Sequence, residues 1–130
     1  MSAKGASMTG ETILVAEDDQ GSSEMLKELL ELSEYTVEVV ETAREVVAAL
    51  RARAYAAVLL DLTLPGMTRE ALVEALRGLP APSPLIVFSA RPAPEVREIA
   101  DRLHAAAVLP KPSNIDVMLA TIHRVARRAA

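Results

Sequence analysis

Short runs of consecutive apolar residues recur along the chain and alternate with stretches in which apolar residues stand three or four positions apart. Such runs are typical of parallel strands that are buried on both faces. They lie at residues 13–16, 56–60, 85–88 and 105–109. A fifth segment, Thr36–Val40, places Glu38 between valines and predicts a strand near a sheet edge.

The spaced apolar residues predict helices between these strands. Between residues 43 and 50 they recur at i, i+3, i+4 and i+7, behind Thr42 and Glu45 at the spacing of a capping box. Pro94 stands where a first helical turn tolerates proline, and we expect Ser113 to open the last helix. Comparable stripes cover residues 25–30, 72–79, 96–103 and 115–122.

Strict alternation of five strands and five helices over short connections requires right-handed crossovers and a parallel sheet covered on both faces. We therefore predict an α/β fold: a doubly wound, flavodoxin-like sheet of five parallel strands in the order 2-1-3-4-5, with five helices. A length of 130 residues is that of one domain. We assign residues 11–130 to this domain and the small, polar residues 1–10 to a flexible N-terminal tail.

Composition narrows the possible functions. Hydrophobic residues make up 51% of the chain but aromatic residues only 2%, so the core must consist of aliphatic side chains. A net charge of −4 does not attract nucleic acid or an anionic membrane, and a protein is the expected partner. The absence of cysteine excludes disulfides and sulfur-ligated metals and leads us to expect a cytoplasmic location.

Polar side chains follow four of the predicted strands at their carboxyl ends, where ligands bind in such folds. These are Glu17, Asp18, Asp19, Asp61, Ser89 and Lys111. Two carboxylates about 4 Å apart repel by roughly 4 kcal/mol at an effective dielectric near 20, so the acids need a cation. Oxygen ligands without sulfur favour Mg²⁺. Asp19 taken alone is more typical of a helix cap.

At this point the sequence resembles the receiver domain of two-component response regulators, from residue 12 to about residue 128. The resemblance is carried by four segments at residues 13–19, 60–67, 88–90 and 111–112. They read ILVAEDD, LDLTLPGM, FSA and KP.

The resemblance implies that Asp61 is the phosphoacceptor and that Mg²⁺ is its cofactor. The implied metal ligands are Glu17, Asp18, Asp61 and the backbone carbonyl of Thr63, with Asp18 a more direct ligand than Glu17. Ser89 and Lys111 are implied to bind the phosphoryl oxygens.

Two further residues near the site are expected to modulate it. Pro112 is expected to follow a cis peptide bond that turns Lys111 back towards the site, since only proline makes such a bond inexpensive. We expect the side chains of Thr63 and Arg91 to flank the phosphoryl group and to influence water entry.

The implied phosphoryl donor is a phosphohistidine on a sensor histidine kinase or a phosphotransfer protein. Phosphorylation would then move Ser89 and the fourth helix and switch a surface of helix 4, strand 5 and helix 5 that binds a downstream protein. Val108 stands in this switch region where many receivers have an aromatic residue, and Thr68-Arg69 replaces a frequent Asp-Gly. These departures concern the output surface, not the phosphoacceptor residues.

Two alternatives remain open at this point. A pseudo-receiver would act as a constitutive docking scaffold, which the residues at Val108 and Thr68 favour. A small phosphatase would use Asp61 as nucleophile in an Asp-x-Asp motif, but Thr63 stands at the place of the second acid. The histidines at 104 and 123 have no ligand partner at a suitable spacing and are interpreted as surface residues.

Overall fold

In the computed structural model, residues 11–79 and 83–129 are described, and the predicted tail at residues 1–10 lies outside this part of the chain. Strands and helices alternate strictly along the described residues. In chain order they are β1 Thr12–Ala16, α1 Gln20–Leu32, β2 Thr36–Val40, α2 Ala43–Ala52, β3 Ala57–Asp61, α3 Arg69–Arg77, β4 Leu85–Ser89, α4 Ala93–Leu103, β5 Ala107–Pro110 and α5 Ile115–Ala129.

The strands form one parallel sheet in the order β2-β1-β3-β4-β5, which confirms the predicted topology. The chain reverses its direction of travel across the sheet after β2, so β1 and β3 lie side by side at the point of reversal. Asp61 pairs with Phe88, and Ser89 pairs with Pro110. The carboxyl ends of these neighbouring strands therefore meet at one edge of the sheet.

The two faces of the sheet carry separate apolar layers because successive strand side chains point to opposite sides. Leu14 and Leu60 belong to the layer covered by α2, α3 and α4, whereas Val15 and Leu59 belong to the layer covered by α1 and α5. All four side chains are at most 1% exposed. Burial on both faces explains why most residues of β1 and β3 are apolar without alternation.

Local caps fix where several helices begin. Thr42 and Glu45 form the predicted capping box, and Asp19 accepts a hydrogen bond from the Ser22 N–H at 2.9 Å as the N-cap of α1. The expected role of Ser113 as the cap of α5 is wrong. Asn114 Oδ1 instead accepts from the Asp116 N–H at 2.7 Å, because Ser113 Oγ donates to the carbonyl of Pro110.

The fifth strand differs from its prediction in length and burial. It begins at Ala107 rather than at residue 105, because His104 ends α4 in the left-handed region and the Ala105 N–H returns to the Ala100 carbonyl at 2.9 Å. It is also an edge strand, and Val108 is 45% exposed. An apolar run thus predicted a fully buried strand where one face is covered and the other is open.

Candidate functional site

Three acidic side chains converge at the carboxyl edge of the sheet. Glu17 follows β1 and Asp61 ends β3, and the side chains of both are 3% exposed, whereas Asp18 is exposed. Carboxylate oxygens of Glu17, Asp18 and Asp61 lie within 4.8 Å of one another. The structure thus brings together the three acids that the resemblance implied as metal ligands.

Backbone contacts hold Glu17 in place. Its N–H donates to the Val40 carbonyl at the end of β2 at 3.0 Å, which continues the pairing of the two strands by one residue. Its carboxylate oxygen Oε2 accepts from the Asp19 N–H at 3.1 Å. The turn that starts α1 therefore orients the Glu17 carboxylate as well as capping the helix.

Lys111 joins two of the acids. Its Nζ donates to Asp61 Oδ2 at 2.8 Å and to Glu17 Oε1 at 2.9 Å. The ammonium also lies 4.9 Å from the centre of the Phe88 ring, a distance at which a cation and an aromatic face attract. The Lys111–Pro112 peptide bond is cis, as the sequence predicted.

The other oxygen of Asp61 is occupied by Thr63. Asp61 Oδ1 accepts from the Thr63 N–H at 2.9 Å and from the Thr63 hydroxyl at 2.8 Å. The sequence predicted a role for the backbone carbonyl of Thr63 and a flanking role for its side chain. It did not predict that this side chain donates to the phosphoacceptor carboxylate itself.

These contacts shift the pKa values of Asp61, Glu17 and Lys111 in different directions. Burial raises the pKa of Asp61, but the hydrogen bonds from Lys111 and Thr63 outweigh it and leave this pKa below its usual value. Burial raises the pKa of Glu17 above its usual value despite the Lys111 ammonium. Burial opposes the charge of Lys111, yet its hydrogen bonds to Asp61 and Glu17 raise its pKa. Asp61 is therefore held as an anion beside a cation.

Ser89 and Arg91 lie next to this cluster on the β4 side. Ser89 is buried at the end of β4, and its carbonyl accepts from the Lys111 N–H at 3.0 Å. Its Oγ accepts from the Arg91 N–H at 3.1 Å, while the Arg91 side chain pairs with Glu95 in α4. Val108 is not part of this cluster; it pairs with Val87 within the sheet.

Sequence reasoning missed two supporting residues. The sequence identifies Phe88, the single phenylalanine of the chain, as part of a strand and of the FSA segment, but it does not predict that the ring lies next to Lys111 in the folded protein. Glu95 lies four positions after Arg91, a spacing that favours a helical ion pair and could have indicated the contact. The Phe88–Lys111 contact, by contrast, joins residues that are far apart in the chain.

The donor set suits a hard divalent cation. Three carboxylates supply only oxygen, and the positive charge of one lysine does not balance them. A site with a few carboxylates and space for water and phosphate oxygens is typical of Mg²⁺. The residues present therefore fit this ion.

The fold and the site together define a doubly wound α/β domain with an acidic centre at the carboxyl edge and a lysine joined to its central aspartate. The profile of the response regulator receiver domain matches residues 13–123. The chain belongs to this family. Receiver domains accept phosphoryl groups rather than turning over an external substrate, and they bind Mg²⁺ in an acidic pocket.

Individual relatives agree with this assignment. The transcriptional regulatory protein TcrA of Mycobacterium tuberculosis is 32% identical over 126 residues, which cover 93% of this chain and 48% of that protein. The sensory/regulatory protein RpfC of Xanthomonas campestris is 34% identical over 104 residues, or 77% of this chain and 14% of that protein. The chain therefore spans half or less of these curated relatives.

Solved structures show the same fold. The non-phosphorylated HemR receiver domain from Leptospira biflexa is 34% identical and superposes with a TM-score of 0.79, covering 89% of this chain and 94% of that one. A CheY-like receiver domain protein from Methanospirillum hungatei is 26% identical with a TM-score of 0.81, covering 92% and 95%. In the described residues, no helix has the length and apolar character that crossing a membrane requires.

Proposed function

We propose that this chain is an active phosphoacceptor in which Asp61 takes a phosphoryl group from a phosphohistidine of a sensor histidine kinase or a phosphotransfer protein. The observation that carries the proposal is the position of Lys111, whose ammonium donates to Asp61 and Glu17 together. A cation placed beside a carboxylate that is buried and still ionised supports a reaction in which negative charge accumulates there.

In the proposed reaction a carboxylate oxygen of Asp61 attacks the phosphorus atom in line with the phosphorus–nitrogen bond. That bond breaks, and its electron pair returns to the imidazole nitrogen, which takes up a proton. The product is an acyl phosphate on Asp61. Water later attacks the phosphorus atom and releases inorganic phosphate and the free carboxylate. Positioning and charge neutralisation supply most of the catalysis in phosphoryl transfer.

Each residue of the cluster has a proposed part in this reaction. Glu17, Asp18, Asp61 and the Thr63 carbonyl would hold Mg²⁺, which when bound neutralises carboxylate and phosphoryl oxygens. Lys111 and the hydroxyl of Ser89 would bind the transferred oxygens.

Thr63 and Arg91 would influence the approach of water. We propose that Thr63 must release Asp61 Oδ1 before that oxygen takes part, because its hydroxyl and N–H both occupy it. Replacement of the Thr63 and Arg91 side chains together by alanine should therefore change the dephosphorylation rate. An unchanged rate would show that neither side chain influences the approach of water.

Phosphorylation of the same site is also proposed to change a surface that binds another protein. A phosphoryl group on Asp61 carries about −1.5 to −2 charges in place of the single charge of the free carboxylate, and it favours a rearrangement of Ser89 and the start of α4. The surface formed by α4, β5 and α5 would then bind a downstream protein, in the cytoplasm. Val108 lies on this surface and is 45% exposed.

Incubation with acetyl phosphate and Mg²⁺, followed by Phos-tag electrophoresis, tests the proposal. We expect a shifted band that is lost in Asp61→Asn and in the presence of a chelator. Asp101→Asn, an exposed acid of α4, is the matched control and should keep the band. No band in the unaltered chain would favour a docking scaffold, and release of phosphate without a band would favour a phosphatase.

A further inference from the structure

One carboxylate oxygen near the site is shared by two arginines. Glu95 Oε1, in the first turn of α4, accepts from Arg69 Nη1 at 2.6 Å and also from Arg91 Nε. Arg69 begins α3, and Arg91 lies in the connection between β4 and α4. The three side chains are between 31% and 41% exposed, so this is a half-open ionic cluster at the border of the site.

The backbone of Arg91 lies next to residues that surround Asp61. Its N–H donates to the Ser89 hydroxyl, and the Ser89 carbonyl accepts from the Lys111 N–H. Its side chain, however, is turned to Glu95 in α4. The guanidinium is therefore close to the site along the chain but is engaged by another anion.

We propose that Glu95 is a positioning residue that sets how long a phosphoryl group stays on Asp61, by competing with that group for the guanidinium of Arg91. This inference rests on the proposed function. A phosphoryl group presents about −1.5 to −2 charges and binds arginine strongly. While Glu95 holds Arg91, the phosphoryl group is open to water; when Arg91 is released, its guanidinium covers the phosphoryl oxygens and slows hydrolysis.

Arg69 acts in the opposite direction because it bonds to the same oxygen of Glu95. Its positive charge partly neutralises that carboxylate and so weakens the ion pair between Glu95 and Arg91. Without Arg69, Arg91 is the remaining cation bonded to Glu95 Oε1, and the ion pair between them becomes stronger. Two substitutions within one ionic cluster are thus expected to change the phosphoryl lifetime with opposite signs.

Glu70 provides a matched control. It also joins α3 to α4, through hydrogen bonds from Arg102 to its two carboxylate oxygens at 2.7 and 2.9 Å, but among the described residues no hydrogen bond or ion pair joins it to Arg91. Glu70→Gln removes one inter-helix ion pair, as Glu95→Gln does, and leaves Arg91 with its partner. An effect due only to loosening of α3 against α4 would appear in both variants.

The experiment is a measurement of phosphoprotein decay. The chain is phosphorylated with acetyl phosphate and Mg²⁺, the donor is removed by rapid desalting, and the remaining phosphoprotein is followed by Phos-tag electrophoresis. We expect Glu95→Gln to lengthen the lifetime about two- to five-fold, the range for a partly exposed ion pair, and Arg69→Gln to shorten it. Glu70→Gln should match the unaltered chain, and Glu95→Gln should have no effect in an Arg91→Ala background.

A second measurement reports the position of Arg91 without phosphorylation. In ¹⁵N spectra the Nε–H signal of Arg91 should be protected from exchange in the unaltered chain and in Glu70→Gln, and should lose this protection in Glu95→Gln. Equal lifetimes of the Glu95 and Glu70 variants, or a Glu95 effect that persists without Arg91, would overturn the inference while leaving the phosphoacceptor intact. Failure of the unaltered chain to form phosphoprotein would overturn the proposed function as well.

Discussion

The ammonium of Lys111 lies 2.8 Å from Asp61 Oδ2, although the two residues are 50 positions apart in the chain. The contact exists because β3 ends at Asp61, and β5 ends one residue before Lys111 at the same edge of the sheet. The strand between them, β4, supplies the Phe88 ring under the ammonium.

Replacement of Lys111 by methionine should slow phosphorylation of Asp61 by acetyl phosphate by about tenfold or more, since a hydrogen bond to a charged group contributes roughly 1.5–3 kcal/mol. Lys111→Arg keeps the charge but not the compact geometry of an ammonium, and we expect it to recover only part of the rate. Initial rates from Phos-tag gels measure both. A methionine variant as fast as the unaltered chain would remove Lys111 from the proposed chemistry.

The acidic cluster should bind Mg²⁺ through the exposed Asp18. We expect Asp18→Asn to weaken Mg²⁺ binding by about tenfold, or ~1.4 kcal/mol, because one anionic ligand becomes neutral. Isothermal titration of the unphosphorylated chain gives the affinity directly. Asp116→Asn, an exposed acid in the first turn of α5, serves as the control. Equal affinities of the unaltered chain and Asp18→Asn would contradict the proposed ligand set.

Tyr55 should make the stability of the fold depend on alkaline pH. Burial, together with the hydrogen bond that its hydroxyl donates to Glu38 at 2.7 Å, raises the pKa of Tyr55 to about 12. Because the folded state keeps this proton longer than the unfolded state, the free energy of unfolding should fall as the pH rises from about 10 to about 12.

Urea unfolding near pH 9 and near pH 11 tests this expectation. The decrease should be smaller in Tyr55→Phe, which has no proton to lose at that position. Absorbance titration of the phenolate in Tyr35→Phe isolates the signal of Tyr55, because the chain has only two tyrosines. An ionisation of Tyr55 near the usual tyrosine value of about 10 would show that the phenol is not protected in the way described.

Two glycines should respond differently to replacement by alanine. Gly66, in the connection between β3 and α3, has a φ of 104°, a conformation that side chains rarely adopt, so Gly66→Ala should cost about 1–3 kcal/mol. Gly21 lies in the first turn of α1, where an added Cβ meets only Asp19 Oδ2 at 3.8 Å. Gly21→Ala should be neutral or stabilise the fold by up to about 0.5 kcal/mol.

The free energy of unfolding from urea titration at neutral pH compares the two variants. If both lowered it equally, the positive φ at Gly66 would not be the cause of its loss. If neither changed it, the connection would accept other backbone conformations without cost.

The layers of the fold could be predicted from the order of apolar and polar residues. Apolar runs and helical stripes are set by burial, which depends on the residues of one segment and its period, so the strict alternation could be predicted. The predicted strand order is the one among the common doubly wound orders that fits five strands. The family motifs also identified the acids, Ser89 and Lys111, because each stands at the end of a strand. Their roles as ligands and phosphoryl contacts remain predictions for the experiments above.

Which side chains contact one another follows from the packing of distant elements and could not be predicted. Three contacts depend on how strands, helices and their connections pack. The Thr63 hydroxyl donates to Asp61 Oδ1, the Lys111 ammonium lies near the Phe88 ring, and two arginines donate to Glu95 Oε1. The exposure of Val108 likewise depends on β5 being an edge strand, which its apolar neighbours do not reveal. Periodicity encodes which face of an element is buried, whereas contact between distant side chains requires the relative placement of whole elements.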